Sequence, residues 1–134
     1  MSREFTLEQA DRHNELTAKG WDIIRENIFI HESENQGPPA DSGQTELESA
    51  TNFFLEALKI NPEGWSSMWA LGKVYQRLGQ HDESLDWFGK ALKLNPSQPN
   101  VAREAGLAAL DVGEIPSGLQ YCLLAVENLS LIHI

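Results

Sequence analysis

The stretch ALKINP at residues 57–62 returns as ALKLNP at residues 91–96, a shift of 34. The same shift superimposes three further pairs of residues, namely Phe54 and Phe88, Gly72 and Gly106, and Gly79 and Gly113. Aromatic, glycine and proline positions that all match in one register indicate an internal repeat and not chance identity. The sequence therefore predicts an array of similar units that recur with this period.

The pattern inside one unit is typical of two helices. Over Trp65–Leu78 the apolar side chains recur at intervals of three and four residues, which places them on one helix face. Gly79 follows as a helix stop, because glycine adopts the left-handed backbone conformation at low cost. A second helix is expected from about Asp82, whose charge suits the positive end of the helix dipole. It ends near Asn95, since Pro96 cannot continue a helix interior.

Residues 65–98 resemble a tetratricopeptide repeat. Six features match the pattern of that family at its spacing: Leu71-Gly72, Tyr75, Gly79, Phe88, Ala91 and Pro96. Met68 stands where the family usually has Trp, and Ser84 stands where it usually has Ala. The resemblance implies an all-α fold, an α-solenoid of about three antiparallel helix pairs that form a right-handed superhelix. The small Gly72 would let the two helices of its repeat approach closely.

Residues 1–134 are expected to form a single domain of this kind, with divergent repeats on either side of the full one. Residues 99–128 read as a third repeat, whose first helix runs from Pro99 to about Gly113. Residues 1–64 read as a divergent first repeat. Its first helix is expected from Thr6 to about Phe29, beginning with a capping box.

Two segments do not fit the repeat. Residues from about 31 to 44 are polar and rich in Pro and Gly, which predicts a loop inserted before the second helix of the first repeat. Residues 129–134 resemble the translated sequencing-adapter tail of some read-derived sequences. The chain is therefore interpreted either as truncated after about Asn128 with a non-native tail, or as having a native end that packs on a partner or a second copy.

Composition excludes several classes of partner. Ten Lys and Arg against twenty Asp and Glu give a formal net charge of −10, and such a field disfavours binding to nucleic acid and to anionic membranes. The single cysteine, Cys122, excludes an intrachain disulfide and any site built from several thiolates. The start of the chain has no signal-peptide pattern, and its apolar runs are too short to span a bilayer. A cytoplasmic location is expected.

The search for catalytic chemistry favours a protein that is not an enzyme. The four histidines show no metal-ligand spacing, and the nucleophile and phosphate-binding loop motifs are missing from the sequence. Cys122 falls on the apolar stripe of the last helix, where a small core residue is the simpler interpretation than a nucleophile. We therefore expect no cofactor, no metal and no catalytic residue.

The family resemblance implies a binding surface, because the first helices of such repeats line a concave groove. The groove positions of this sequence are Trp69, Lys73, Gln76 and Arg77 on one helix and Asn100, Arg103 and Leu107 on the next. A basic strip that carries a tryptophan favours an extended or helical acidic segment of a protein partner. An ordinary solvated surface is the alternative interpretation. The leading hypothesis is a non-enzymatic protein–protein interaction module, a scaffold or adaptor; the other is an accessory repeat region of a larger, truncated enzyme.

The last helix is unusually apolar. Between about Pro116 and Asn128 it carries five large apolar residues that one neighbouring helix cannot cover, namely Leu119, Tyr121, Leu123, Leu124 and Val126. A terminal helix in water normally has a polar face. We therefore expect this helix to pack against another chain, as in a homodimer, or against the tail at residues 129–134.

Overall fold

The computed structural model describes residues 6–28 and 41–132. Six helices account for nearly all of these residues: α1 (Leu7–Asn27), α2 (Asp41–Ile60), α3 (Trp65–Arg77), α4 (His81–Leu94), α5 (Pro99–Asp111) and α6 (Ile115–Ile132). No residue of the described ranges lies in a strand. The helices pack as three antiparallel pairs, α1 with α2, α3 with α4 and α5 with α6, and consecutive pairs stack on each other. The predicted all-α class is confirmed.

Glycines end the first helices of the second and third pairs. Gly79 follows α3 with a φ of 82°, and Gly113 follows α5 with a φ of 84°. The residue after each glycine donates its N–H back into the helix, from Gln80 to the Tyr75 carbonyl at 2.9 Å and from Glu114 to the Ala109 carbonyl at 2.8 Å. This bond pattern satisfies helix-end carbonyls and requires the left-handed conformation that glycine adopts most easily.

The first repeat differs from the sequence-based boundaries at one end. Helix α1 begins with the expected capping box, in which Thr6 Oγ1 accepts from the Gln9 N–H and Gln9 Oε1 accepts from the Thr6 N–H. Helix α2, however, begins at Asp41, so residues 41–44 of the predicted loop are helical. Polarity was misleading there, because the first turn of a helix can lie in solvent and needs no apolar side chain. The remainder of the predicted loop, residues 31–40, lies outside the described residues.

The backbone of α6 continues past the predicted end of the third repeat. It remains helical through Ile132. Residues 133 and 134 lie outside the described part of the chain.

Each helix pair contains a close approach at one glycine of its first helix. A Cβ atom built on Gly20 or Gly72 would lie 2.6 or 2.5 Å from the ring of Phe54 or Phe88, and one on Gly106 would lie 2.5 Å from Cys122 Sγ. The glycine precedes its partner by 16 residues in the second and third pairs and by 34 residues in the first. The first repeat is therefore the same unit with an insertion between its helices.

The buried apolar side chains form two clusters of different composition. The first, from α1, α2 and α3, is built of large residues such as Ile24, Leu47 and Phe54. The second, from α4, α5 and α6, contains Phe88 and Leu92 but is otherwise filled mainly by alanines. The third repeat thus packs through smaller side chains than the first.

Candidate peptide-binding groove

The three close-approach glycines give a common register for the first helices. Residues three before, one after and five after each glycine share one helix face, as helical spacing requires. We call the nine residues at these positions the groove face: Thr17, Trp21 and Arg25 on α1, Trp69, Lys73 and Arg77 on α3, and Arg103, Leu107 and Asp111 on α5. The predicted Gln76 and Asn100 border it on α3 and α5. All seven predicted groove residues therefore lie on two adjacent first helices.

An aromatic pair joins α1 to α3 on the groove face. The ring centroids of Trp21 and Trp69 lie 5.5 Å apart at an interplanar angle of 41°, and Trp21 also meets Phe54 edge to face at 5.6 Å. Both tryptophans are half-buried. The Nε1 of Trp69 is shielded from solvent and has no hydrogen-bond partner among the described residues. Trp69 thus forms one wall of a packed aromatic pair and does not project as an isolated side chain.

A buried ion pair joins α3 to α5 at the next position. Lys73 Nζ lies 3.4 Å from Glu104 Oε1, and the two side chains are only 8% and 9% exposed. Arg103 Nη2 approaches the same carboxylate oxygen at 3.5 Å from the open side, with its own side chain 61% exposed. Lys73 therefore lies at the base of the groove face, where Glu104 already balances its charge. Lys73 thus links two adjacent repeats, and its ammonium group is less accessible to a partner than that of an exposed lysine.

The open part of the predicted groove lies on α5. Asn100 and Arg103 are exposed, and Leu107 is 45% exposed, whereas Gln76 and Arg77 on α3 are half-buried. A partner segment that binds this face would therefore contact the exposed Arg103 and Leu107, which lie one helical turn apart on α5. On α3 it would contact the half-buried Trp69.

Sequence reasoning did not find the α1 side of this face. Trp21 and Arg25 occupy the positions of Lys73 and Arg77, and the Arg25 side chain is 65% exposed with its guanidinium 3.1 Å from Asp22. They were missed because the insertion after α1 takes this helix out of the register that the other repeats share. Aligning Gly20 with Gly72 through their aromatic partners would have identified both.

Two further depressions lie between consecutive second helices. One, of about 550 Å³, is lined by α2 and by Trp87 of α4, and the other, of about 560 Å³, is lined by α4 and by Tyr121 of α6. They are repeat-equivalent: Leu58 and Leu92 occupy the same register position, and so do the two aromatic residues. We call them the outer grooves.

Metal-binding clusters and membrane-crossing helices are absent from the described residues. Among them no group of three or more His, Cys, Asp or Glu side chains is arranged to hold a metal ion. Cys122 is half-buried, with its sulfur against Gly106. None of the described helices has the combined length and apolarity of a membrane-crossing segment.

Comparison with known families gives one match over slightly more than half of the chain. Residues 37–107 match the family described as Regulator of microtubule dynamics protein 1-3. Among curated proteins, the transcription factor tau 131 kDa subunit of Saccharomyces cerevisiae is 27% identical over 74 residues, which are 55% of this chain and 7% of that protein. The CTR9 homolog of Arabidopsis thaliana is 35% identical over 51 residues, which are 38% of this chain and 5% of that protein.

Solved structures of MamA share the fold. One superimposes with a TM-score of 0.63 at 23% identity, covering 66% of this chain and 52% of MamA. A mutant form of MamA gives 0.57 at 18% identity over 90% of this chain and 82% of that one. MamA and the curated relatives contain tetratricopeptide repeats, and the predicted repeat type and solenoid architecture are confirmed.

Proposed function

The chain belongs to the Regulator of microtubule dynamics protein 1-3 family, and from this premise we propose that its groove face holds a segment of a partner protein. The repeat fold makes it a protein-interaction scaffold module. The family name leads us to propose a partner from the machinery that controls microtubules. We further propose that the module acts in the cytoplasm.

The observation that carries this proposal is the Trp21–Trp69 pair. The groove face that contains it also has one arginine on each of three successive first helices. The pair spans two repeats with ring centroids 5.5 Å apart and leaves each indole partly accessible. Arg25, Arg77 and Arg103 belong to the same groove face, one on each of α1, α3 and α5. Tryptophan and arginine are the residue types most enriched among side chains that dominate binding energy. Of the nine groove-face residues, four are cationic and one, Asp111, is acidic, in a chain of net charge −10.

These side chains fit an acidic partner segment. Guanidinium groups form two parallel hydrogen bonds to a carboxylate, so Asp and Glu side chains are the best match for Arg103 and Arg25. An apolar side chain of the same segment would cover the exposed edges of the tryptophans, and Leu107 would extend that contact onto α5. We propose an extended or helical segment that carries acidic residues on both sides of one large apolar residue.

The test is calorimetry with short synthetic peptides in which acidic and apolar positions are varied, against matched peptides with Lys in place of Glu. Arg103→Glu should abolish binding of the acidic peptides, because it reverses an exposed charge of the groove face. Arg103 also contacts the buried Glu104 carboxylate, so the helical circular dichroism spectrum of the variant is first compared with that of the wild type. Trp69→Ala should weaken binding by about 2 kcal/mol. Added salt should weaken binding as well, since exposed charges are screened over about 8–10 Å at physiological ionic strength.

The outer grooves supply the control. Lys93→Glu changes a charge on α4 by the same amount as Arg103→Glu, but it lies in the outer groove beside Tyr121. It should leave the affinity unchanged. Equal affinity of wild type and Arg103→Glu, combined with loss in Lys93→Glu, would place binding on the outer surface and refute the groove face as the site.

That the chain is not itself an enzyme stays a prediction, and so does its alternative, an accessory region of a larger enzyme. The chain spans only 7% and 5% of the length of the two curated relatives described above. The coding sequence downstream of Asn128 distinguishes the two, because a catalytic domain there would favour the second.

A further inference from the structure

The outer groove between α4 and α6 does not depend on where the array ends. It has a volume of about 560 Å³ and lies between two second helices that run in the same direction. The equivalent groove between α2 and α4 is also open, at about 550 Å³, although a complete helix pair follows it in the chain. The stacking of repeats therefore leaves such a groove open, and a partner can reach it.

Gly89 lines this groove from the interior of α4 and contributes no side chain to it. The equivalent position of the first repeat holds Leu55, which lines the α2–α4 groove. Glycine weakens a helix interior relative to alanine. A Cβ atom on Gly89 would meet nothing within 4 Å, so no contact within the chain requires glycine there. Glycine also serves where another backbone approaches closely, and Gly89 gives the α4–α6 groove such a place.

The two ends of the groove carry opposite charges. Asp82 near the start of α4 and Glu114 just before α6 line one end, and both are exposed. Lys90 and Lys93 line the other end. Lys90 Nζ lies 3.7 Å from Asp86 Oδ2, whereas Lys93 is exposed in the last turn of α4. A ligand along the groove therefore meets carboxylates at one end and an ammonium group at the other.

The shape of the groove suits a helix. Leu85, Leu92 and Tyr121 lie between its charged ends and make its floor apolar. On α4 the lining residues recur at intervals of three and four between Asp82 and Lys93, over a length of about 16 Å. An amphipathic helix fills a groove of this kind with apolar side chains at the same intervals.

We propose that the α4–α6 outer groove binds an α-helix of a partner protein that runs antiparallel to α4. In this direction the last turn of the partner helix lies beside Asp82 and Glu114, and its first turn lies beside Lys93. Basic residues in the last turn and acidic residues in the first turn match these charges and also suit the dipole of the partner helix itself. A small residue of the helix faces Gly89, with a large apolar residue one turn away on either side. This site is separate from the groove face and does not rest on the function proposed for it.

The first experiment locates the site by amide NMR of the isotope-labelled full chain. The probe is a stapled, alanine-based peptide of about 15 residues, with Glu in its first turn, Leu on either side of a central Ala, and Lys in its last turn. It should shift the amide signals of Gly89, Ser117 and Tyr121 and leave those of Trp69 and Arg103 unchanged. Shifts confined to the groove face, or none at millimolar peptide, would overturn the proposal.

The second experiment fills the groove. Gly89→Leu gives α4 the residue that the first repeat has at this position, and it should weaken peptide binding about tenfold or more without lowering the melting temperature. Ala18→Leu is the matched control, because it adds a leucine to an exposed position of α1 and should bind as the wild type does. Equal affinity of wild type and Gly89→Leu would refute the site.

The third experiment tests the direction of the helix. Asp82→Lys/Glu114→Lys should lose the probe and prefer a stapled peptide in which the Glu and Lys turns are exchanged. Arg103→Glu should bind the probe as the wild type does, so a failure here is distinguished from a failure of the groove face. If the chain alone dimerised and Gly89→Leu abolished the dimer, the occupant would be a second copy and the partner helix would be wrong.

Discussion

The close contact between Gly72 and Phe88 can be tested by making the same substitution, glycine to alanine, at Gly72 and at Gly89. The quantity compared is the free energy of unfolding of the two variants. Both glycines lie inside helices, Gly72 in α3 and Gly89 in α4. A Cβ on Gly72 would lie 2.5 Å from the ring of Phe88, which is fully buried. A Cβ on Gly89 would meet nothing within 4 Å. Replacement by alanine therefore adds the same methyl group to a filled and to an open site.

The expected difference follows from two opposing contributions. Alanine is favoured over glycine in a helix interior by about 0.8–1.0 kcal/mol, so Gly89→Ala should stabilise the protein by about that amount. Gly72→Ala gains the same propensity but must displace the Phe88 ring, and overpacking of a filled core costs about 1–3 kcal/mol. The two variants should therefore differ by about 2 kcal/mol in free energy of unfolding, with Gly72→Ala the less stable.

Urea unfolding followed by circular dichroism measures this difference directly. For a chain of this size the corresponding gap in melting temperature is about 8 °C, at about 4 °C for each kcal/mol. A double variant with Phe88→Leu should show a favourable coupling of about 1 kcal/mol or more, because the smaller side chain removes the clash. If Gly72→Ala were as stable as Gly89→Ala, the close approach of α3 and α4 at this glycine would be refuted.

Three other predictions test separate contacts. Lys73→Met should destabilise the protein by about 2 kcal/mol, because the buried Glu104 carboxylate loses its buried cation and keeps only the contact to the exposed Arg103. Lys73→Met/Glu104→Leu should be nearly neutral, and thermal unfolding compares the two variants. Thr6→Ala removes the cap of α1 and should cost about 1 kcal/mol in urea unfolding. The hydrogen bond and positive charge of Lys19 lower the pKa of Glu15. The stabilising effect of this pair should therefore be present above the ordinary carboxyl pKa of about 4.3 and be lost as pH falls through the lower folded value, and NMR titration of Glu15 in wild type and Lys19→Gln checks the direction.

The fold was predictable because its signals are local and repeated. Three of these signals act within a few residues: the stop at Gly79, the capping box at Thr6 and the proline that follows α4. The stop and the proline also recur one period away, at Gly113 and Pro62. The start of α2 was misplaced by a few residues, since a solvated first turn has the same composition as a loop.

The groove was only partly predictable because its geometry depends on contacts between repeats. Helical spacing placed Lys73 on the groove face, but its burial depends on Glu104, which lies far along the chain on another helix. The packing of Trp69 on Trp21 likewise joins two helices separated by the insertion. Residue type and periodicity identify which residues share a helix face. How deeply each of them is buried depends on the side chains of the neighbouring repeat.

The alanine-rich core of the last repeat has a consequence for dynamics. Ala102, Ala105 and Ala108 remove less apolar area from water than the isoleucines and phenylalanine of the first cluster, and hydrophobic stabilisation scales with that area. In a linear array each repeat is held by its own core and by its neighbours, so α5 and α6 should open locally at a lower free energy than the whole chain unfolds. Their amide hydrogens would then exchange with solvent first.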